Sequence, residues 1–162
     1  MKYLRDTAIE SNAPFIALTE THLKPDILDP EVKIEGWSLY RTDRGPGKSH
    51  GGVAIYLRKD LIGQLVTSHS NSMCETLAVK VKTLNLILIC VYRPPNSTLE
   101  AFEEALEVCQ KAINEVVDND PKTKDVLILV ISIFLLYHGP RARYIKRRSR
   151  GNQRKSSKQS NS

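Results

Sequence analysis

The sequence predicts one α/β domain, and three observations carry that prediction. Short apolar runs closed by proline, glycine or charged residues recur along the first 130 residues, as strands do. One long segment has apolar residues at helical spacing between a start signal and a stop signal, and so predicts a crossover helix. The length of 162 residues, 41% of them hydrophobic and 26% charged, fits a single core. These values exclude a chain disordered throughout, a collagen and a membrane bundle.

In chain order, residues 1–12 predict the last turns of a helix, with Leu4 and Ala8/Ile9 on one side, closed by Pro14. Residues 15–20, Phe-Ile-Ala-Leu-Thr-Glu, predict a buried strand ending in an acid. Residues 22–36 predict a loop, since they hold Pro25, Pro30 and Gly36. A strand is expected over 37–42, a glycine-dense loop over 45–52 and a strand over 53–57. Residues 75–81 alternate and predict a further strand.

Residues 86–92 are nearly all apolar, so a central strand buried on both faces is expected. Pro94 and Pro95 end it, because proline cannot pair inside a central strand. Ser97-Thr98-Leu99-Glu100 spells a capping box. Leu99, Phe102, Leu106, Cys109, Ile113 and Val116/Val117 then recur at helical spacing until Asp118-Asn119-Asp120-Pro121 stops the helix. Residues 125–129 predict the start of another buried strand.

The net charge of +6 is unevenly placed. Residues 141–162 carry nine Lys/Arg and no acid, which leaves 15 basic and 18 acidic residues in the body. Such a tail commonly points to nucleic acid or an anionic membrane. The longest apolar run, 126–137, is broken by Ser132 and is too short for a spanning helix, which needs about 20 residues. No apolar segment follows Met1-Lys2-Tyr3-Leu4-Arg5-Asp6, which fits an intracellular product of the nucleus or cytoplasm. Cys74, Cys90 and Cys109 are too few and too scattered for a disulfide framework or zinc site, and predict buried small residues.

Two residues stand out chemically. Glu20 ends a predicted strand, at the sheet edge where α/β proteins bind ligands, and a carboxylate there suits Mg²⁺. Taken alone, an acid in that position is most simply a solvated loop residue. Tyr92 also ends a predicted strand, and Arg93 follows it. The pair suits phosphate orientation, although a tyrosine that packs its ring and wets its hydroxyl is the simpler account. Gly51-Gly52 is most simply a turn and strand entry, because no GxxxxGK[ST] pattern is present. His22, His50, His69 and His138 show no paired acid or spacing that suggests a triad or a metal cluster, and each is most simply a surface or loop residue.

Three segments in order give more. Phe15-Ile16-Ala17-Leu18-Thr19-Glu20-Thr21-His22-Leu23, Gly51-Gly52-Val53-Ala54-Ile55-Tyr56 and Val91-Tyr92-Arg93-Pro94-Pro95-Asn96 together resemble the endonuclease/exonuclease/phosphatase superfamily. The resemblance is greatest to the endonuclease domain of non-LTR (LINE-type) retrotransposon polyproteins, which also carry reverse transcriptase. It covers about residues 1–129, with 130–162 left as a separate apolar run and basic tail. It implies the DNase I-like and exonuclease III-like fold, here as an incomplete four-layered α/β sandwich. It also implies hydrolysis of DNA phosphodiester bonds with Mg²⁺. Glu20 matches the metal-binding glutamate and Tyr92 the active-site tyrosine, both in catalytic roles. Arg93 and Asn96 are the accompanying candidates for substrate binding.

The family pattern also holds an asparagine upstream of Glu20, a G-D-F-N motif after the crossover helix and an S-D-H motif near the end. This chain has none of them, and an inactive, truncated domain is expected. At the G-D-F-N position it reads Val130-Ile131-Ser132-Ile133-Phe134. One added base before codon 130 allows residues 130–140 to be re-read as G-D-F-N-F-P-F-I-S-W-P, so a frameshift is expected there. The same shift turns glutamate codons into Arg, Lys, Ser and Asn codons, the residues in which 141–162 is rich. The alternative function is a non-enzymatic nucleic-acid-binding protein acting through that tail. A membrane partner is not expected.

Overall fold

A computed structural model of the chain describes residues 2–10, 12–43, 51–71 and 73–132. Helix α1 (Lys2–Glu10) leads into β1 (Phe15–Thr19), the short helix α2 (Asp29–Val32), β2 (Trp37–Thr42) and β3 (Val53–Arg58). Then come β4 (Gly63–Ser70), β5 (Glu75–Val81), β6 (Leu86–Arg93), helix α3 (Leu99–Asn119) and β7 (Asp125–Ser132). The expectations for 44–50 (His50 included) and for 133–162 fall outside the described residues. These last cover the basic tail, His138 and most of the second half of the 126–137 run.

The strands form two sheets, β1-β3-β2 and β4-β5-β6-β7. The first is antiparallel throughout. In the second, β4, β5 and β6 are antiparallel, while β7 runs parallel to β6 with α3 as the crossover. Val53, Ile55 and Leu57 of one sheet meet Leu77, Val79, Leu88, Cys90 and Tyr92 of the other in the central core. A second core joins Ile87, Ile89 and Val91 to the alanine face of α3. A third joins Ala54, Tyr56 and Trp37 to Ala8 of α1. The molecule is thus α/β, with helix, sheet, sheet and helix stacked in four layers.

Several expectations need correction. The predicted buried strand at 15–20 is only half-buried, because β1 is an edge strand. The predicted loop 22–36 contains α2, whose Pro30 suits a first turn and whose Glu31 carboxylate accepts from the Leu28 N–H at 2.8 Å. Strand β4 was not expected at all. Strand β5 alternates in sequence yet is buried at every position, because sheet and helix cover its two faces. Strand β6 is buried on both faces as predicted.

Helix α3 begins one residue later than the capping box implied. Thr98, not Ser97, is the N-cap, and its hydroxyl accepts from the Ala101 N–H. The buried face is Ala101, Ala105, Cys109, Ala112 and Val116, while Leu99, Leu106 and Val117 are exposed. Small residues let the helix sit close to the sheet. Strand β7 was expected to be buried but lies at the sheet's edge, with Val126, Leu127, Ile128 and Val130 exposed. Cys74, Cys90 and Cys109 are buried, as expected, and burial pushes the Cys90 thiol up to about 12.

Candidate functional site

One end of the sandwich gathers the singled-out residues. The Thr42 and Ser68 hydroxyls bond at 2.7 Å, joining the last residue of β2 to the end of β4 across the two sheets. Strand register carries the alignment further. Thr42 and Thr19 both flank Val53, and Ser70 pairs with Glu75, which pairs with Tyr92, which pairs with Ile131. Val53 and Tyr92 share the central core. Glu20 and Tyr92, 72 positions apart in sequence, therefore belong to the same pole of the molecule.

Glu20 is not a solvated loop residue. Its side chain is 25% exposed, and its Oε2 accepts from the Gly51 N–H at 2.8 Å. His22 Nε2 lies 3.6 Å from the same oxygen. The backbone is unusual here: Glu20 and His22 have φ of 55° and 53°, and Gly51 and Gly52 have φ of 102° and 90°. Non-glycine residues adopt such angles rarely and at a cost. The turn is held by Thr21 N–H to Gly52 O at 3.3 Å and His22 N–H to Gly51 O at 3.0 Å. A Cβ on Gly52 would come within 2.5 Å of Thr21 Oγ1. Gly51-Gly52 is thus a strand entry, as expected, and also the dock that fixes the Glu20 turn. Two histidines lie beside an acid, His22 near Glu20 and His69 at 3.4 Å from Glu104.

Tyr92 is 2% exposed and lies within the central core, next to the fully buried Glu75. Arg93 is committed to structure: its Nε donates to Ser97 Oγ at 2.8 Å and its guanidinium lies 4.8 Å from the Phe102 ring centroid. Asn96 is exposed in the Pro94–Ser97 turn, closed by Ser97 N–H to Pro94 O at 3.1 Å. Glu75 and the Gly51-Gly52 dock went unnoticed in the sequence. A lone polar residue opening an alternating strand, and a glycine pair some 30 positions from its partner, carry no local signal. A cavity of about 450 Å³ opens beside Glu20, lined mainly by Leu4, Ile16, Leu18, Leu23 and Tyr56.

Among the described residues, no group of three or more His, Cys, Asp or Glu side chains could hold a metal ion. None of their helices is long and apolar enough to cross a membrane.

No family model and no curated protein matches the sequence. Among solved structures, the chain is similar to TDP2 from C. elegans at 16% identity and a TM-score of 0.46, covering 74% of this chain and 38% of that one. A truncated Caenorhabditis elegans TDP2 gives the same identity and TM-score, with 49% of its length covered. The human Nocturnin catalytic domain with bound sulfate anion matches at 11% identity and a TM-score of 0.44, covering 82% of this chain and 56% of that one. The chain thus spans between 38% and 56% of the length of these structures.

Proposed function

We propose that this chain carries part of a retrotransposon-type, metal-dependent DNA endonuclease domain of the DNase I-like class, in a form that does not cleave DNA. The observation that carries the proposal is the pairing of β6 with β7. Tyr92 sits beside Ile131, and Arg93 beside Ser132. With one base added before codon 130, the re-read G-D-F-N puts its aspartate at position 131 and its asparagine at position 133. The re-read aspartate would then stand beside Tyr92, at the pole that holds Glu20, and this supports the reading.

Inactivity follows from the groups present. Phosphodiester hydrolysis needs a positioned nucleophile and stabilisation of charge on the phosphate. In this frame the end of β7 offers Ile131 and Ser132, with no carboxylate or amide. Tyr92 is sealed in the core, and Arg93 is bound to Ser97 and Phe102. Mg²⁺ fits this donor set poorly: Glu20 is a single carboxylate, and one of its oxygens already accepts from Gly51.

Purified chain incubated with supercoiled plasmid and Mg²⁺ should leave the plasmid intact. Nicking by the wild type that Glu20→Ala abolishes would overturn the claim of inactivity. The lineage is tested separately, by reading the locus and transcript across codons 125–162 in all three frames. The neighbouring frame should spell G-D-F-N and continue to S-D-H, and a closed or unrelated frame there would overturn the lineage.

A second reading is favoured by one observation, the nine Lys/Arg and absence of acids in 141–162. A polycation of this kind binds nucleic acid weakly and loses it with salt. A dedicated nucleic-acid-binding protein would instead keep tail-dependent, sequence-specific binding at about 150 mM salt.

A further inference from the structure

We propose that the cavity between α3 and the β4–β5 hairpin is a binding site for a small aliphatic zwitterion, such as a free α-amino acid. It lies at the pole opposite Glu20 and shares no residue with the cavity there. Its volume is about 400 Å³, enough for one small molecule. Lys80 is the buried charge of its lining. Strand β5 is buried at every position, and the Lys80 side chain is only 10% exposed. Burying an ammonium is costly, and an apolar pair of similar volume stabilises a core as well as an ion pair does. Packing therefore does not account for a lysine here. Its ammonium carries three N–H donors, and among the described residues only Asp120 Oδ2, at 2.7 Å, accepts from it. Two donors remain at the cavity for an oxyanion.

The rest of the lining supplies the complement. Lys82, two residues on from Lys80, borders the same cavity, and Glu115 and Asn119 reach it from α3. Lys82 and Glu115 are exposed and opposite in charge, and neither forms an ion pair among the described residues. Asp120 already balances Lys80. The charges left at the cavity are thus one ammonium and one carboxylate. Their sum is zero with both signs present, which suits a zwitterion better than a simple anion or cation. The ligand carboxylate accepts from Lys80 and Lys82. The ligand ammonium donates to Glu115 and to Asn119 Oδ1, since Asn119 Nδ2 is already given to the Glu115 carbonyl at 2.8 Å. Leu65, Val66 and Val116 offer the aliphatic contact.

The test is isothermal titration of the full chain at about 150 mM salt with three probes. L-Leucine carries both charges, isocaproate lacks the ammonium, and isopentylamine lacks the carboxylate. L-Leucine should saturate with a Kd of about 1 mM or tighter, and each truncated probe should bind at least about fivefold more weakly. Lys82→Met should cut the preference for L-leucine over the amine by at least about threefold, and Glu115→Gln the preference over the acid. Lys24→Met, an exposed position at the other pole with the same charge change, should bind as the wild type does. Circular dichroism checks that each variant folds; if one does not, the three-probe comparison on the wild type decides. No saturation by L-leucine up to about 20 mM would overturn the proposal. So would an acid or amine that binds as tightly as L-leucine, or a preference that its variant leaves intact.

Discussion

Glu20 occupies a left-handed backbone conformation at φ 55°, which costs an ordinary L-residue on the order of 1–3 kcal/mol. The turn persists because bonds from Gly51 and Gly52 hold it at three places. This makes the glycine pair, more than Glu20, the point where the site is vulnerable. Gly52→Ala places a Cβ 2.5 Å from Thr21 Oγ1 at a φ of +90°, whereas Gly36→Ala has the same backbone problem at +83° with nothing within 4 Å. Gly36→Ala should therefore cost about 1 kcal/mol and Gly52→Ala clearly more, about 2–3 kcal/mol, in thermal or urea unfolding. Equal losses would mean that the Thr21 contact is absent. At the opposite pole, Lys80 Nζ bonds Asp120 Oδ2 at 2.7 Å, and this bond holds the Asp120 carboxyl below its ordinary value. A depressed acid contributes stability above its unfolded pKa and loses it as pH falls through the folded one. Stability should thus fall on acidification below about pH 4, and the fall should be shallower in Lys80→Met, as read from urea midpoints across pH. Taken singly, Glu20 and Tyr92 read as an ordinary loop acid and a packed tyrosine, and only the order of the three segments that carry the resemblance singles them out. The Gly51-Gly52 dock was not, because its partners are distant in sequence.

At the scale of elements, amphipathic pattern proved a better guide to where a helix lies than to which way it faces. The stripe at helical spacing straddles the boundary: Cys109 and Val116 pack beside Ala101, Ala105 and Ala112, while Leu99, Leu106 and Val117 stay exposed. Hydrophobic size misleads here because close approach to a covered sheet needs small side chains. Ala105, fully buried, should therefore resist enlargement. Ala105→Leu is expected to cost about 1–3 kcal/mol by overpacking, while Leu106→Ala costs well under 1 kcal/mol. The reverse order in unfolding experiments would restore the leucine face as the core. The cap gives a second contrast. Thr98→Ala should lose about 1 kcal/mol of helix capping, whereas Ser97→Ala should act by releasing Arg93, leaving helix content unchanged in circular dichroism. Strand β4 escaped notice for two physical reasons. Its sequence Gly-Gln-Leu-Val-Thr-Ser-His-Ser is mostly polar, as an edge strand tolerates, and a register shift between Leu65 and Thr67 breaks the alternation.

For the whole molecule, the four layers were implied by the resemblance, and their relative placement was not legible. The run 86–92 announces a strand buried on both faces, which requires layers above and below. No local pattern states that the ends of β1, β2, β4 and β6 share a pole. That alignment hangs on contacts between the sheets, among them the Thr42–Ser68 hydroxyl pair at 2.7 Å at the candidate site. If the pair fixes how the sheets are stacked, its members must be energetically coupled. Thr42→Val and Ser68→Ala should each cost about 1 kcal/mol, and the double variant should cost less than their sum by about 0.5–1 kcal/mol. The cycle is informative because the two residues lie in different sheets and 26 positions apart. Additive losses would mean that the hydroxyls do not meet in solution and that the apolar core alone sets the stacking. A measured coupling would tie the pole that unites Glu20 and Tyr92 to a specific contact, which generic burial of apolar faces does not provide.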